Sequence, residues 1–264
     1  MKYFFQRRAK AGLTAIALMK KPMQNLLKIP GLRSLGEGFL HLLYPKLCVA
    51  CDEDLPAGKS CFCFSCRLKL DPANMHLQYN NEFTDRLWGQ IRIESGAALY
   101  YFTRKSPIQQ ALHQLKYHDK PDVGIKLGRE LGSLLSQSPC FNTIDLVVPV
   151  PLHPRKEQLR GYNQSAMFAE GIAEAMDLPC LTRALVRRVF AESQTKKKRL
   201  DRFDNVDESF AVVRPERLQN KHILLVDDVL TTGATLESCG RTILSIPGTK
   251  LSMATIAIAV KHAL

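Results

Sequence analysis

The strongest constraint on the fold is a run near the C-terminus, from Ile223 to Leu236. An apolar stretch at residues 223–226 leads directly into two carboxylates, Asp227 and Asp228, and then into a turn rich in threonine. Continuous apolar stretches of this kind are typical of strands that helices cover on both faces of a parallel sheet. The run therefore predicts an α/β fold with polar groups at the carboxyl end of a buried strand, where such folds bind ligands.

A helix is predicted after the turn, because apolar residues recur there with helical spacing. These residues are Leu236, Cys239, Gly240, Ile243 and Leu244. The turn itself offers hydroxyl donors, a glycine that lets the backbone approach a ligand, and the free amides of a helix N-terminus, which attract an anion. It therefore predicts a phosphate site formed by Thr231, Thr232, Gly233, Ala234 and Thr235.

The two carboxylates complement this phosphate site. Asp227 and Asp228 repel a phosphate, but they can accept hydrogen bonds from vicinal hydroxyls such as those of a ribose. A sugar phosphate is therefore the favoured ligand, and solvated loop acids are the alternative. A nucleotide hydrolase is rejected: Gly58-Lys59-Ser60 resembles the end of a phosphate loop, but Glu53 stands where its first glycine should be.

The segment from Val226 to Thr235 resembles the phosphoribosyl-pyrophosphate motif of type I phosphoribosyltransferases. In that motif, paired acids precede a Thr-Thr-Gly-x-Thr loop, as they do here. The resemblance implies that Asp227 and Asp228 hold the ribose hydroxyls and that residues 231–235 hold the 5-phosphate. It also implies magnesium as the cofactor bound with phosphoribosyl pyrophosphate, and a mostly parallel sheet flanked by helices.

Two further blocks narrow the resemblance to the competence protein F (ComF) family. They are the segment from Val148 to His153 with Arg160-Gly161-Tyr162-Asn163-Gln164, and the cysteine-rich segment before it. The resemblance covers roughly residues 41 to 260. Gln194, Arg202 and Asn205 fit the family pattern, whereas Ala191, Lys197 and Asp119 depart from it.

The resemblance implies a reaction in which pyrophosphate is displaced from the anomeric carbon of phosphoribosyl pyrophosphate. Positive charge develops on the ribose as the leaving group departs, so cationic side chains are expected to stabilise the pyrophosphate. Lys116 and Arg160 are the candidates for this role, beside Asp227 and Asp228 as the residues that orient the sugar. Asn163, Gln164 and Arg202 are candidates for secondary contacts to phosphate or DNA. Ile144 to Val148 is predicted to be a second core strand, and Ala166 to Met176 a helix.

Two cysteine pairs, Cys48-x-x-Cys51 and Cys63-x-x-Cys66, have the spacing of a tetrahedral zinc site. The spacing favours Cys63 over Cys61 as the third ligand, without excluding an exchange. A disulfide cluster, idle reduced thiols and a redox pair are the alternatives, and the lone cysteines elsewhere suit a reducing cytosol better than disulfides. The chain is therefore divided into a basic extension at 1–40, a zinc ribbon at 41–72 and a phosphoribosyltransferase-like domain at 73–264.

The net charge of +12 is concentrated at the N-terminus. Residues 1–40 contain eight Lys and Arg residues and one acid, Glu37, so they contribute +7 of this charge. Three interpretations stay open for this segment: a loose extension, weak contact with a membrane surface, or a cleaved signal. No stretch approaches the ~18 uncharged apolar residues of a membrane span, and a cytoplasmic protein is expected.

A second basic stretch runs from Arg183 to Arg202. It is interpreted as a solvated loop, a cover for bound phosphates, or a contact for single-stranded DNA, with Phe190 and Phe203 as candidates for base stacking.

Two functions from different classes remain. The first is a catalytic phosphoribosyltransferase with an unknown acceptor, linked to DNA uptake or natural transformation. The second is a non-catalytic protein that binds single-stranded DNA and DNA-uptake proteins and retains the sugar-phosphate site. An amidotransferase with the same sugar-phosphate motif is rejected, because Lys2 stands where its N-terminal cysteine nucleophile is expected.

Overall fold

The fold is described from a computed structural model, for residues 47–55, 60–188 and 209–260. The chain divides into two compact units, residues 1–47 with 54–57 and residues 48–53 with 58–264. In the first unit, the description is limited to a bridge between Leu47 and Asp54 and the buried side chain of Leu55. All that follows concerns the second unit. The predicted domain boundaries at residues 40 and 72 stay predictions.

A parallel sheet forms the centre of the second unit. In the described residues its strand order is β1-β6-β5-β2, and every neighbouring pair is parallel. The strands are β1 (Gly96–Phe102), β2 (Leu146–Pro149), β5 (His222–Leu230) and β6 (Lys250–Ala259). The central pair, β6 and β5, is mostly apolar and mostly buried, as expected of parallel strands covered on both faces. The predicted α/β class with a parallel sheet is confirmed.

Helices connect and cover these strands. The described helices are α1 (Phe64–Arg67), α2 (Glu82–Leu87), α3 (Pro107–Tyr117), α4 (Pro121–Leu135), α5 (Pro154–Arg160), α6 (Gln164–Met176) and α7 (Ala234–Leu244). The four longest, α3, α4, α6 and α7, lie in the connections between successive strands of the parallel sheet, because parallel strands require crossovers. None of the helices in the described ranges is long and apolar enough to cross a bilayer.

Two of these helices, α4 and α6, lie against each other at very short range. A side chain at Gly128 would meet the Phe168 carbonyl oxygen at 2.2 Å, and one at Gly171 would meet the Ile125 carbonyl oxygen at 2.1 Å. Glycine is therefore required on both helices for the backbones to approach this closely. The contact fixes α6, whose N-terminus lies beside the acidic pair described below.

An antiparallel hairpin stands outside the parallel sheet. It consists of β3 (Leu185–Arg187) and β4 (Phe210–Val212), and a 3₁₀ turn follows it at Pro215–Arg217. Most of the basic stretch noted in the sequence, including Phe190 and Arg202, lies outside the described residues, as does Phe203.

Several predicted boundaries need correction. The strand predicted at 223–226 continues through both carboxylates to Leu230, because β6 pairs with it over that whole length. The second strand is Leu146–Pro149 and not 144–148, and the helix predicted at 166–176 begins two residues earlier, at Gln164. On α7, Leu244 is only half-buried, whereas the polar Ser238 is buried.

Candidate functional site

The acidic pair lies on the part of β5 that extends beyond the end of its neighbour β2. The two strands pair up to Pro149 and Val226, and their last bond runs from the Val150 N–H to the Val226 carbonyl at 2.8 Å. Beyond this point β5 keeps only β6 beside it, with Asp227 opposite Thr255. The open side of the strand end is therefore free to receive side chains from the covering helices.

Two different helices contact the two carboxylates. Ser165, in the first turn of α6, donates a hydrogen bond from its hydroxyl to Asp227 Oδ1 at 2.8 Å. Lys116, in the last turn of α3, places Nζ 2.6 Å from Asp228 Oδ2. Successive residues of a strand point to opposite sides, which lets the pair collect partners from two elements. The structure thus brings together three of the residues predicted to be catalytic.

The carboxylate of Asp227 is held in an unusual electrostatic state. Burial, followed by the charge of Asp228, raises the pKa of Asp227 to about 7. The Ser165 hydroxyl, the Asp228 N–H and the Lys116 ammonium act in the opposite direction. A carboxylate with a strongly raised pKa, placed beside a second charged group, is a feature of functional sites. This pair is therefore poised to gain a hydroxyl donor or a cation.

The fourth candidate, Arg160, contacts the aromatic ring of Tyr117, the residue that follows Lys116 in the chain. Its guanidinium is 5.5 Å from the centre of the Tyr117 ring, and its Nη1 donates to Gln164 Oε1 at 2.8 Å. Tyr162 donates from its hydroxyl to the Leu115 carbonyl at 2.5 Å, which fixes the end of α3. The block from 160 to 164 therefore holds the helix end that carries Lys116.

Asn163 and Gln164 serve this scaffold with their own side chains. Asn163 caps α6, accepting from the Ser165 N–H at 3.1 Å, and donates to the Val150 carbonyl at 2.9 Å. Gln164 is 2 % exposed. Both residues position Ser165 against β5. Their predicted contacts to phosphate or DNA stay predictions, and Arg202 lies outside the described residues.

The threonine turn lies between β5 and α7. Gly233 is the N-cap of α7 with φ of 88°, and a side chain there would meet Leu87 Cδ2 at 2.6 Å. Thr231, Thr232, Ala234 and Thr235 are exposed, and the Ala234 N–H lies 3.5 Å from Thr232 Oγ1. The predicted turn followed by a helix is confirmed, and this arrangement can receive an anion.

Two contributors to the site were missed by the sequence reasoning. Ser165 follows Asn163 at a helix start, and this hydroxyl beside a motif was a usable signal. Arg86 donates from Nη1 to the carbonyls of Ala259 at 2.6 Å and Thr231 at 3.4 Å, and it pairs with Glu82. Arg86 anchors the start of the turn from a distant part of the chain, and no local pattern indicates it.

A separate cluster is formed by Cys48, Cys51, Cys63 and Cys66, whose sulfurs all lie within 4.8 Å of one another. The Cys63 N–H points to Cys48 Sγ at 3.3 Å, and the Cys66 N–H to Cys63 Sγ at 3.4 Å. Four convergent thiols are the donor set that structural zinc prefers. Cys61 is outside the cluster, and burial raises the pKa of its thiol to about 12. The cluster contains Cys63 and not Cys61, and their roles as zinc ligands stay a prediction.

Comparison with known proteins now identifies the class. Residues 163–263 match the phosphoribosyl transferase domain, the segment that contains Ser165, the acidic pair and the threonine turn. The chain therefore carries a phosphoribosyltransferase-like domain beside a cysteine cluster that can hold zinc.

Relatives with assigned names narrow this class. The chain is 24% identical over 208 residues to Competence protein F of Haemophilus influenzae, covering 77% of this chain and 86% of that protein. It is 24% identical over 197 residues to Competence protein ComFC of Bacillus subtilis, covering 69% and 77%. It is 30% identical over 149 residues to DNA utilization protein YhgH of Escherichia coli, covering 52% of this chain and 61% of that protein. The resemblance to the competence protein F family is confirmed.

Proposed function

We propose that the acidic pair and the threonine turn bind phosphoribosyl pyrophosphate with magnesium. The observation that carries the proposal is the contact of Lys116 Nζ with Asp228 Oδ2 at 2.6 Å. In the chain, Asp228 is followed closely by the exposed turn from which α7 begins. Carboxylates for ribose hydroxyls, a helix N-terminus for a phosphate and the Lys116 ammonium for pyrophosphate are thus combined at one end of β5.

In the proposed reaction, an acceptor forms a bond to the anomeric carbon while the bond to pyrophosphate breaks and its electron pair leaves with pyrophosphate. Asp227 and Asp228 orient the ribose and face its developing positive charge. The Lys116 ammonium leaves Asp228 and binds the pyrophosphate oxygens instead. Arg160 holds the end of α3 in place through its contact with the Tyr117 ring. Magnesium, which prefers oxygen ligands such as these carboxylates, neutralises pyrophosphate charge when it is bound.

The direct test of binding is thermal unfolding with phosphoribosyl pyrophosphate and magnesium. Ligand at ~100 times its dissociation constant should add ~2.7 kcal/mol to the free energy of unfolding. Asp227→Asn with Asp228→Asn should abolish that gain. Asp85→Asn with Asp177→Asn is the matched control, since both carboxylates are exposed. Equal gains in the two double variants would contradict the proposed site.

Turnover requires a second measurement, because a site of this kind can bind without reacting. We expect magnesium-dependent release of pyrophosphate with a suitable acceptor, and its loss in Lys116→Met. Binding without release across a broad panel of bases would leave the second candidate, a non-catalytic competence factor. That candidate draws support from relatives named for competence and DNA utilization, and both candidates include a role in DNA uptake.

We also propose that the four clustered cysteines hold a structural zinc ion. Few large apolar side chains lie between Leu47 and Leu70, so this segment has little core of its own and depends on a metal for its fold. Elemental analysis of the purified protein should find one zinc per chain. A zinc-free protein with an unchanged unfolding temperature would refute this.

A further inference from the structure

The β3–β4 hairpin and the residues that flank its strands carry arginines that the sugar-phosphate site does not use. These are Arg183, Arg187, Arg188, Arg214 and Arg217, and all are exposed. Across the described ranges, none of them forms an ion pair with a carboxylate. Unpaired arginines concentrated on one small element create a local positive potential that attracts anions.

Three of these arginines line the same pocket. It has a volume of about 380 Å³, and its walls include Thr182, Arg183, Val213, Arg214 and Arg217. No acidic side chain lines it, although Glu216 is adjacent in sequence. Guanidinium groups match phosphate oxygens with two parallel N–H donors, and the Thr182 hydroxyl adds another donor. The lining chemistry is therefore that of a phosphate site.

The pocket is built on backbone that is already fixed. The Val213 N–H donates to the Ala184 carbonyl at 2.8 Å, and the Arg217 N–H donates to the Arg214 carbonyl at 3.1 Å. Arg214 has φ of 61° and ψ of 64°, the left-handed conformation that residues other than glycine rarely adopt. Glycine would adopt this conformation more easily than arginine, as it would at Lys105, which has the same φ.

A larger pocket of about 660 Å³ continues from this one, sharing Thr182, Arg183 and Val213. It extends to Asn163, the cap of the helix that carries Ser165. Its walls combine apolar side chains, Leu152, Met167 and Val186, with two carboxylates, Glu157 and Glu170, and two arginines, Arg183 and Arg187. These charges balance, so the larger pocket is less positive than the smaller one and suits neutral planar groups with exocyclic amines, such as nucleobases.

We propose that the arginine pocket, formed by Arg183, Arg214 and Arg217, binds a backbone phosphate of a single-stranded nucleic acid, with neighbouring bases in the larger pocket. A concave pocket can take a phosphate from a flexible strand but not from the convex surface of a duplex. The site is distinct from the acidic pair. This inference rests on the proposed role in DNA uptake and is independent of the sugar-phosphate site.

The test measures binding of a fluorescent oligothymidylate of about 12 nucleotides by anisotropy over a salt series. The test variant combines Arg183→Ala, Arg214→Gly and Arg217→Ala. The control combines Arg92→Ala, Arg104→Ala and Lys105→Gly, which removes the same charge. Lys105 also has φ of 61°, so the two glycine substitutions relieve the same backbone conformation.

We expect the test variant to bind at least about tenfold more weakly, with the logarithmic salt slope reduced by roughly 0.7 per lost phosphate contact. The control should lose less than about threefold, through net charge alone. Both variants should unfold at or above the wild-type temperature and keep the shift caused by phosphoribosyl pyrophosphate. These results would support the arginine pocket.

Equal losses in the two variants would overturn the pocket and leave the DNA role intact, whereas a wild-type protein that ignores the strand at low salt would overturn both. Competition arms identify the source of the phosphate. Displacement of the strand by inorganic phosphate or thymidine monophosphate at equal concentration would assign the pocket to a free nucleotide and contradict the proposal. Equal affinity for a duplex would also contradict it.

Discussion

The cysteine cluster and the acidic-pair site are built in opposite ways. The cluster gathers four sulfurs from residues 48–66, and the backbone N–H groups of that same segment point to its sulfurs. The acidic pair is adjacent in sequence, but its partners Lys116 and Ser165 come from α3 and α6, far away in the chain. The first region needs only its own segment, whereas the second exists only when the whole sheet and its covering helices are in place.

Removal of zinc is the strongest way to test this difference. If the cysteine segment depends on its own metal, Cys48→Ser with Cys63→Ser should lose the zinc and lower the free energy of unfolding by about 3 kcal/mol or more. Zinc content by elemental analysis and thermal unfolding measure the two effects. The sugar-phosphate shift should largely persist, because no cysteine of the cluster contacts the acidic pair.

Cys61→Ala is the matched control for the cysteine variants. It removes a buried thiol from the same segment, but that thiol is outside the cluster. Zinc should be retained at one per chain. Loss of zinc in this variant would mean that Cys61 can replace Cys63 and that the spacing does not decide the ligand set.

The turn at Gly233 tests the assembled region through its backbone. Gly233→Ala should cost about 2 to 4 kcal/mol, because the left-handed φ of 88° is strained for alanine and the added carbon meets Leu87 Cδ2 at 2.6 Å. Gly161→Ala shares the strain, with φ of 79°, but finds nothing within 4 Å and should cost only about 1 kcal/mol. Chemical denaturation compares them. Equal costs would mean that the packing against α2 is unimportant.

How well each region could be read from the sequence follows from the same difference. The sequence predicts the cysteine cluster, the apolar strand and the glycine turn, because residues that are close in the chain determine each of them. The extension of β5 to Leu230 depends on pairing with β6, and the anchoring of Thr231 by Arg86 depends on tertiary contact. Asn163 and Gln164 stand out in the motif, yet the structure buries both as scaffold.

The electrostatic cost of assembling the site should appear in the pH dependence of stability. Because the folded-state pKa of Asp227 is raised from 3.8 to about 7, its contribution to stability is present below pH 3.8 and is lost as the pH rises through 7. Asp227→Asn removes this loss. The difference in the free energy of unfolding between the variant and wild type should therefore be about 1 to 2 kcal/mol more favourable to the variant at pH 8 than at pH 4.

Asp145→Asn is the control of opposite sign. The His222 N–H lowers the pKa of Asp145, so that carboxylate stabilises the fold above its unfolded pKa and loses this contribution as the pH falls. The substitution should therefore cost stability at pH 8 and little at low pH. Denaturation at both pH values measures the two effects. The same sign for both variants would contradict the assignment of Asp227.

Ser165→Ala should have the smallest effect, and it is the most specific test of assembly. Its hydroxyl bond lowers the pKa of Asp227, so without it the pKa should rise, and ligand binding that needs the carboxylate ionised should weaken by about threefold to tenfold at pH 7. Ser95→Ala is matched, since its buried hydroxyl donates to the Cys140 carbonyl, also at 2.8 Å. Both variants should lose similar stability, but only Ser165→Ala should shift the pH profile of the dissociation constant upwards. An unshifted profile would mean that the acidic pair functions without α6. Lys116 would then be the distant residue on which the contrast between a local and an assembled site depends.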